Sequence, residues 1–264
     1  MKLGQLLVAA LPFLRLSYHI GSQTVNRPNS HKTTEVQMRT LAIGDIHGCL
    51  EPLITLWNVL EPKPTDHIIF MGDYVDRGQD SKGVVEFLIE QSTQFPRIDF
   101  LCGNHEEKFF LSRIDKTDMA HWLQDWGGQQ TLDSYGPNGI GDVPDSHWSF
   151  LLKNKSYVET DTHIFVHAYA EADVDMAQQL PYTLIHQKFN HPLYGPPRPH
   201  KSGKTIICGH TAQKSHKPLN IGHAVCIDTD PGRGGWLTGL HVESGHYWQT
   251  NFAGEVREDD LSAN

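Results

Sequence analysis

From residue 39 onward, short apolar runs alternate with stretches whose apolar residues recur at helical spacing. Thr40-Leu-Ala-Ile43 is the first strand-like run and ends in Gly44, and Leu50, Leu53, Ile54, Trp57 and Leu60 then follow at helical intervals. His67-Ile-Ile-Phe-Met71 closes on Gly72, a helix carrying Val84, Val85, Phe87 and Leu88 comes next, and Ile98-Asp-Phe-Leu-Cys102 closes on Gly103. Strands alternating with helices predict βαβ units around a buried, largely parallel sheet. Residues 106–155 read as more helical, with Trp122, Trp126 and Trp148 available to pack a small cap. Beyond them the pattern turns β-rich, with strands predicted over 156–159, 163–167, 205–208, 224–228, 236–242 and 247–251. The fold class expected is α/β, with two packed mixed sheets flanked by helices.

The ends of the chain follow another pattern. Residues 6–14 form a nine-residue apolar run behind Lys2, but Pro12 interrupts it and Arg15 follows at once. With no small-x-small cleavage site soon after, an export signal is disfavoured. Residues 21–37 are polar and linker-like. The expected organisation is an N-terminal extension over 1–38, one domain over 39–252 and a polar tail over 253–264.

Composition narrows the function classes. Lys plus Arg number 22 against 31 Asp plus Glu, a formal charge of −9 on 264 residues. That balance argues against a nucleic-acid binder, which needs a basic face to neutralise phosphates. No stretch approaches the roughly 20 apolar residues that a membrane span demands. Cys49, Cys102, Cys208 and Cys226 form no C-x-x-C pair and each lies in or beside an apolar run, so they read as buried free thiols in a reducing cytoplasm. Histidine, at 17 residues, is the outlier and points toward metal binding.

The chemistry is concentrated where apolar runs end. Five of them finish in polar clusters: Gly44-Asp45-Ile46-His47-Gly48, Gly72-Asp73-Tyr74-Val75-Asp76-Arg77-Gly78, Gly103-Asn104-His105-Glu106, Val166-His167 and Gly209-His210. Side chains at the carboxyl ends of parallel strands converge on one crevice. Carboxylates, imidazoles and one amide oxygen suit a hard or borderline divalent cation.

Asp-x-His-Gly, then Gly-Asp-x-x-Asp-Arg-Gly, then Gly-Asn-His-Glu, in this order, resembles the calcineurin-like metallophosphoesterases. The similarity runs from about residue 39 to residue 251 and is strongest toward the phosphoprotein phosphatase branch, with its small bacterial and phage members. It implies a four-layer α/β/β/α domain with a helical cap. It also implies a metal-dependent phosphomonoesterase, a serine/threonine protein phosphatase with phosphotyrosine as an additional substrate, monomeric and acting on phosphorylated protein or peptide. By the same resemblance Asp45, His47 and Asp73 would hold one divalent ion, and Asp73, Asn104, His167 and His210 a second, with Asp73 shared. Manganese is the expected metal, with iron or zinc as alternatives, and hydrolysis would proceed by attack of a metal-bridging hydroxide. Arg77 would grip the phosphate, Asn104 would touch it, and His105 would protonate the leaving group with Asp76 orienting it. The alternatives are a symmetrical dinucleoside tetraphosphate hydrolase and, from another class, a non-catalytic binding scaffold.

The pattern departs from the family at the second phosphate-binding arginine, which is missing between the last two ligand histidines. Lys188 is the expected stand-in and Arg198 the other candidate, although a lysine lacks the bidentate fork. Tyr169 reads either as narrowing the mouth or as covering a core edge. Tyr74 and Val75 read as packing residues, and Glu106 as a helix-start group or a support behind the ligands. His19, His31, His121, His147, His191 and His246 are expected to be solvated.

Overall fold

The computed structural model describes residues 38–189 and 197–262. The extension expected over residues 1–37 and the histidines His19, His31 and His191 lie outside the described residues.

Two sheets face each other. The first runs β1 (Thr40–Ile43), β2 (His67–Phe70), β3 (Ile98–Phe100), β9 (Leu237–His241), β10 (His246–Thr250) and β11 (Val256–Asp260), in the spatial order β11-β10-β9-β1-β2-β3. The second comprises β4 (Tyr157–Glu159), β5 (His163–Val166), β6 (Thr205–Cys208), β7 (Leu219–Asn220) and β8 (Ala224–Cys226), in the order β4-β5-β6-β8-β7. In each sheet three strands are parallel, β1-β2-β3 and β5-β6-β8, and the flanking strands are antiparallel.

The period-two alternation assigns each strand residue to a layer. Ala42 and Ile69 of the first sheet meet Phe165, Ile207 and Val225 of the second in the space between the sheets. Their chain neighbours Leu41, Ile43, Ile68 and Phe70 face outward onto α1 (Leu50–Leu60) and α2 (Ser81–Gln94). On the far face of the second sheet, Ile164, Val166, Ile206 and Cys208 pack against Leu184 and Ile185 of α7 (Pro181–His186). Strands apolar on both faces, with side chains pointing alternately to either side, therefore build the helix–sheet–sheet–helix stack. Helices start where polar side chains satisfy orphan amides: Asp80 Oδ1 accepts the Gly83 N–H at 2.7 Å ahead of α2.

Between β3 and β4 lie α3 (Asn104–Ile114), α4 (Lys116–Asp125), α5 (Gly128–Tyr135) and α6 (Asp145–Leu151), the predicted cap. Trp122 and Phe109 stack at 5.1 Å between ring centres, and Phe109 meets Trp148 at 4.3 Å. Two strands depart from the sequence reading. β7 has only two residues. β11 lies in the polar segment from 253 onward and carries no alternation, since it is mostly exposed and pairs with β10 through its backbone. His147 also departs from expectation: it is buried in the cap, with Nδ1 2.9 Å from the Tyr135 hydroxyl. All four cysteines are buried and free.

The inter-sheet layer should be the most sensitive part of the fold. Phe165→Ala is expected to lower unfolding stability by about 3–5 kcal/mol through lost burial and a cavity. Phe252→Ala, at a 46% exposed position, should stay within about 0.5 kcal/mol. Urea unfolding midpoints at constant slope measure both.

Candidate metal centre

The parallel strands of both sheets end on one crevice, and the chain turns sharply there. His47, Asp73, Asp76, Arg77 and His210 all have positive φ, between 50° and 73°. Such backbone costs on the order of 1 kcal/mol or more per residue and persists only where surrounding structure enforces it. Two glycines make the approach possible. A Cβ at Gly103 would stand 2.1 Å from Asp73 Oδ1, and one at Gly209 would stand 2.0 Å from Asp45 Oδ1.

Three imidazoles are set in one way. His47 Nδ1 lies 3.1 Å from the Val75 carbonyl, His167 Nδ1 2.8 Å from the Met71 carbonyl, and His210 Nε2 3.0 Å from the His186 carbonyl. A carbonyl only accepts, so each of these nitrogens donates and the opposite nitrogen turns a lone pair into the crevice. Asp73 links the two halves of the cluster. One of its oxygens is 3.6 Å from His47 Nε2, and the other 3.3 Å from His167 Nε2. Asn104 Oδ1 completes the second half, at 2.7 Å from His210 Nδ1 and 3.1 Å from His167 Nε2. Asp45 accepts the His210 amide through Oδ2 at 2.9 Å, while its buried Oδ1 has no partner among the described residues.

The electrostatics call for a cation. Burial, then the charges of Asp228 and Asp73, push Asp45 well above the ordinary carboxylate range. Burial alone would raise Asp73 too, but the His167 and His105 imidazoles outweigh it and hold Asp73 well below that range. His210 is lowered to about 3 by burial and by His167. Burial and the Arg77 guanidinium lower His47 as well. The imidazoles of His47 and His210, which their surroundings keep neutral, stand beside buried carboxylates, one of them with an unpartnered oxygen. Burial would lower His167 too, but Asp73 outweighs it and raises that imidazole in the absence of a cation. This is the donor set that divalent cations take. Asp73, His47 and His105 form one group of donor atoms close enough to hold an ion, and Asp73, His167 and His210 a second.

His105 differs from the other three. Its Nδ1 meets a carboxylate, Asp76 Oδ2, at 2.6 Å. Asp76 is fully buried and also accepts the Trp122 indole N–H at 2.9 Å and the Thr131 hydroxyl at 2.7 Å. The ring is thereby fixed with Nε2 facing Arg77 Nη2 at 3.0 Å. Arg77 Nη1 points to His47 Nε2 at 2.5 Å, and Arg77 has no carboxylate partner among the described residues. Its buried Nε has no partner among the described residues. A guanidinium surrounded by imidazoles rather than carboxylates is free to take an anion.

The structure thus gathers Asp45, His47, Asp73, Asp76, Arg77, Asn104, His105, His167 and His210 around one crevice. Lys188 is exposed, two residues beyond His186, whose carbonyl holds His210. Arg198 is exposed and engaged by Asp173. Tyr169 is half-buried, and Tyr74 and Val75 are fully buried.

Glu106 combines both roles expected of it. It accepts the Gly103 N–H at the start of α3 and the Asp73 and Tyr74 amides, all within 2.8–2.9 Å. Burial and the Asp73 charge raise it to about 7. Sequence reasoning missed Asp228, Trp122 and Thr131. Asp228 lies just past β8 as His210 lies past β6, and burial raises it to about 6 against the pull of the Asp230 amide. The predicted run 224–228 already ended on this carboxylate, the same signal that marked the other five clusters.

The sequence model of the calcineurin-like phosphoesterase family matches residues 38–214. Among solved structures, a protein provisionally named a diadenosine tetraphosphatase aligns over 87% of this chain and 96% of its own, with TM-score 0.58 and 18% identity. The cold-active protein-tyrosine phosphatase of a psychrophilic Shewanella aligns over 84% and 80%, with TM-score 0.49 and 16% identity. A serine/threonine phosphatase from Saccharomyces cerevisiae aligns over 88% and 82%, with TM-score 0.48 and 12% identity. Identities this low speak for the fold alone.

Cation binding should release protons. Asp228 at about 6 and Glu106 at about 7 are partly protonated near pH 6, and a cation beside them favours their charged forms. The apparent affinity for Mn²⁺ should therefore rise as pH goes from about 5.5 to 7.5. Calorimetry in buffers of different ionisation enthalpy reads the proton count directly, and a pH-independent affinity with no proton release would contradict this electrostatic picture.

Proposed function

This chain belongs to the calcineurin-like phosphoesterase family, and from that premise we propose that it is a metal-dependent phosphomonoesterase acting on phosphorylated protein, at serine and threonine by expectation. The observation that carries the reading is the acid dyad. Asp76, sealed by Trp122 and Thr131, holds His105 at 2.6 Å. So complete a support for one imidazole fits a reaction whose leaving group must be protonated. An alkoxide from phosphoserine is strongly basic and needs that proton in the transition state. A nucleotide expelled from a dinucleoside tetraphosphate leaves through a weakly basic phosphate oxygen and needs it far less. A non-catalytic scaffold would tolerate a replaced ligand, and Asp45, His47, Asp73, Asn104, His167 and His210 are all present.

Asp45, His47 and Asp73 are the residues assigned to a first divalent ion, and Asp73, Asn104, His167 and His210 to a second. Bound there, divalent cations, manganese by preference, polarise the ester and lower the pKa of water. The chain's own groups do the rest. Arg77 offers a planar fork to two phosphate oxygens. With Arg77 turned from His105 to the phosphate, Nε2 of His105 is free to carry a proton. It gives that proton to the departing oxygen as a water oxygen bonds to phosphorus, the ester P–O bond breaks and its electron pair goes to the departing oxygen. Lys188 is the cation assigned to a second phosphate contact, because Arg198 is already paired with Asp173. The four free cysteines suit a reducing cytoplasm.

The test separates the acid from the metal. His105→Ala should slow hydrolysis of a phosphoserine peptide by about 10²–10⁴-fold, and p-nitrophenyl phosphate far less, since p-nitrophenolate leaves without a proton. Metal content by elemental analysis should be unchanged. Loss of metal, or equal slowing of both substrates, would return His105 to the ligand set. A substrate panel including diadenosine tetraphosphate would overturn the reading if that compound alone were cleaved efficiently.

A further inference from the structure

The cap delivers one large ring to the acid. Trp126 follows α4, and its N–H donates to the Trp122 carbonyl at 3.2 Å. The next residue, Gly127, accepts the Arg77 N–H at 3.2 Å. Gly127 has φ +84°, and a Cβ there would lie 2.7 Å from Arg77 N. The corner formed by Trp126 and Gly127 is therefore clamped between the cap and the Arg77 turn. Its indole lies 5.0 Å from the His105 ring, tilted by 57°, and is half-buried. Lys108 Nζ sits 5.9 Å from the indole centre, and His121 meets it edge-on at 6.1 Å.

We propose that Trp126 is the wall of the leaving-group subsite and sets how well an aryl ester is accepted, so that phosphotyrosine is taken alongside phosphoserine. The inference rests on the phosphomonoesterase reading above. A general acid stands within hydrogen-bond reach of the oxygen that it protonates. The group carried by that oxygen therefore begins at His105, beside the half-buried indole whose ring centre lies 5.0 Å from that imidazole. Aromatic pairs favour centroid separations of about 4.5–7 Å, the range that a phenyl group on that oxygen reaches. A serine methylene is too short to profit. The chemistry divides accordingly. An aryl oxide is less basic and gains less from the His105 proton, while the indole adds binding that an alkyl ester cannot use.

The experiment compares two peptides that differ only in carrying phosphotyrosine or phosphoserine, with wild type, Trp126→Leu, Trp126→Met and Trp126→Phe. In the Leu and Met variants kcat/KM for phosphotyrosine should fall about 3- to 10-fold, chiefly through KM, and for phosphoserine change by less than about twofold. Trp126→Phe should restore most of the ratio. Affinity for a peptide carrying a non-hydrolysable phosphonate analogue of phosphotyrosine should fall in parallel, a readout independent of turnover. Using both Leu and Met keeps the test standing if one variant loses the cap. Equal losses on both peptides, no loss on either, or a wild type that cleaves phosphoserine alone would overturn the wall and leave the function standing. A wild type that cleaves neither peptide would overturn the function and the wall together.

Discussion

Asp73 is the point on which backbone and chemistry both turn. Its carbonyl accepts the amides of Ile46 and His47, at 3.0 and 2.8 Å, and so fixes the turn after β1 to the turn after β2. Its own amide is held by Glu106 at 2.9 Å, and its Oδ1 accepts the His105 amide at 3.0 Å, which ties in the turn after β3. The same side chain faces His47, His105 and His167. One residue thus sets the relative position of three strand ends in the first sheet and reaches across to the second. The positive φ at Asp73 follows from these competing ties, which no single extended conformation can satisfy.

What those ties hold in place is a set of buried carboxylates that water no longer solvates. Two aspartates, Asp45 and Asp73, are apparent from the motifs, and the structure adds Asp228 and Glu106, all four nearly or fully buried. Ions of like charge at such density cannot all remain ionised without compensation, and the upward shifts at Asp45, Asp228 and Glu106 record the strain. Divalent cations relieve it. With cations bound there, the overall charge of −9 would matter little to an incoming phosphate, because the ions and Arg77 would dominate the field at contact distance.

Much of this was legible in the chain because its apolar patterns are strong here. Continuous apolar runs along β1, β2, β5, β6 and β8 marked strands buried on both faces, and each run ended in a glycine or polar cluster. The Asp45, Asp73 and Asn104 clusters carried the resemblance from which the candidate ligand set was taken. What escaped was carried by contacts without local pattern. Trp122 and Thr131 lie 46 and 55 residues from Asp76, and nothing in α4 or α5 marks them as its donors rather than as cap packing. β11 escaped because a strand held by its backbone needs no apolar alternation. His147 escaped because a single imidazole buried against Tyr135 looks, in sequence, like any surface histidine.

The parts of the site therefore come from separable layers. The candidate ligands are set by strand ends in both sheets, so their geometry depends on the inter-sheet packing of Ala42, Ile69, Phe165 and Ile207. The orientation of His105, the proposed acid, and of Trp126 depends instead on the cap. Thr131 and Trp122 reach down to Asp76, and Gly127 is keyed onto the Arg77 backbone. A shift of the cap would release the Trp122 and Thr131 bonds to Asp76, and with them the orientation of His105, without first moving a ligand. On the proposed reading, hydrolytic capacity and the identity of the leaving group would answer to different elements of one fold. Substitutions in α4 and α5 would, on that reading, retune which ester is cleaved while the strand-end cluster that could hold the cations stays as it is.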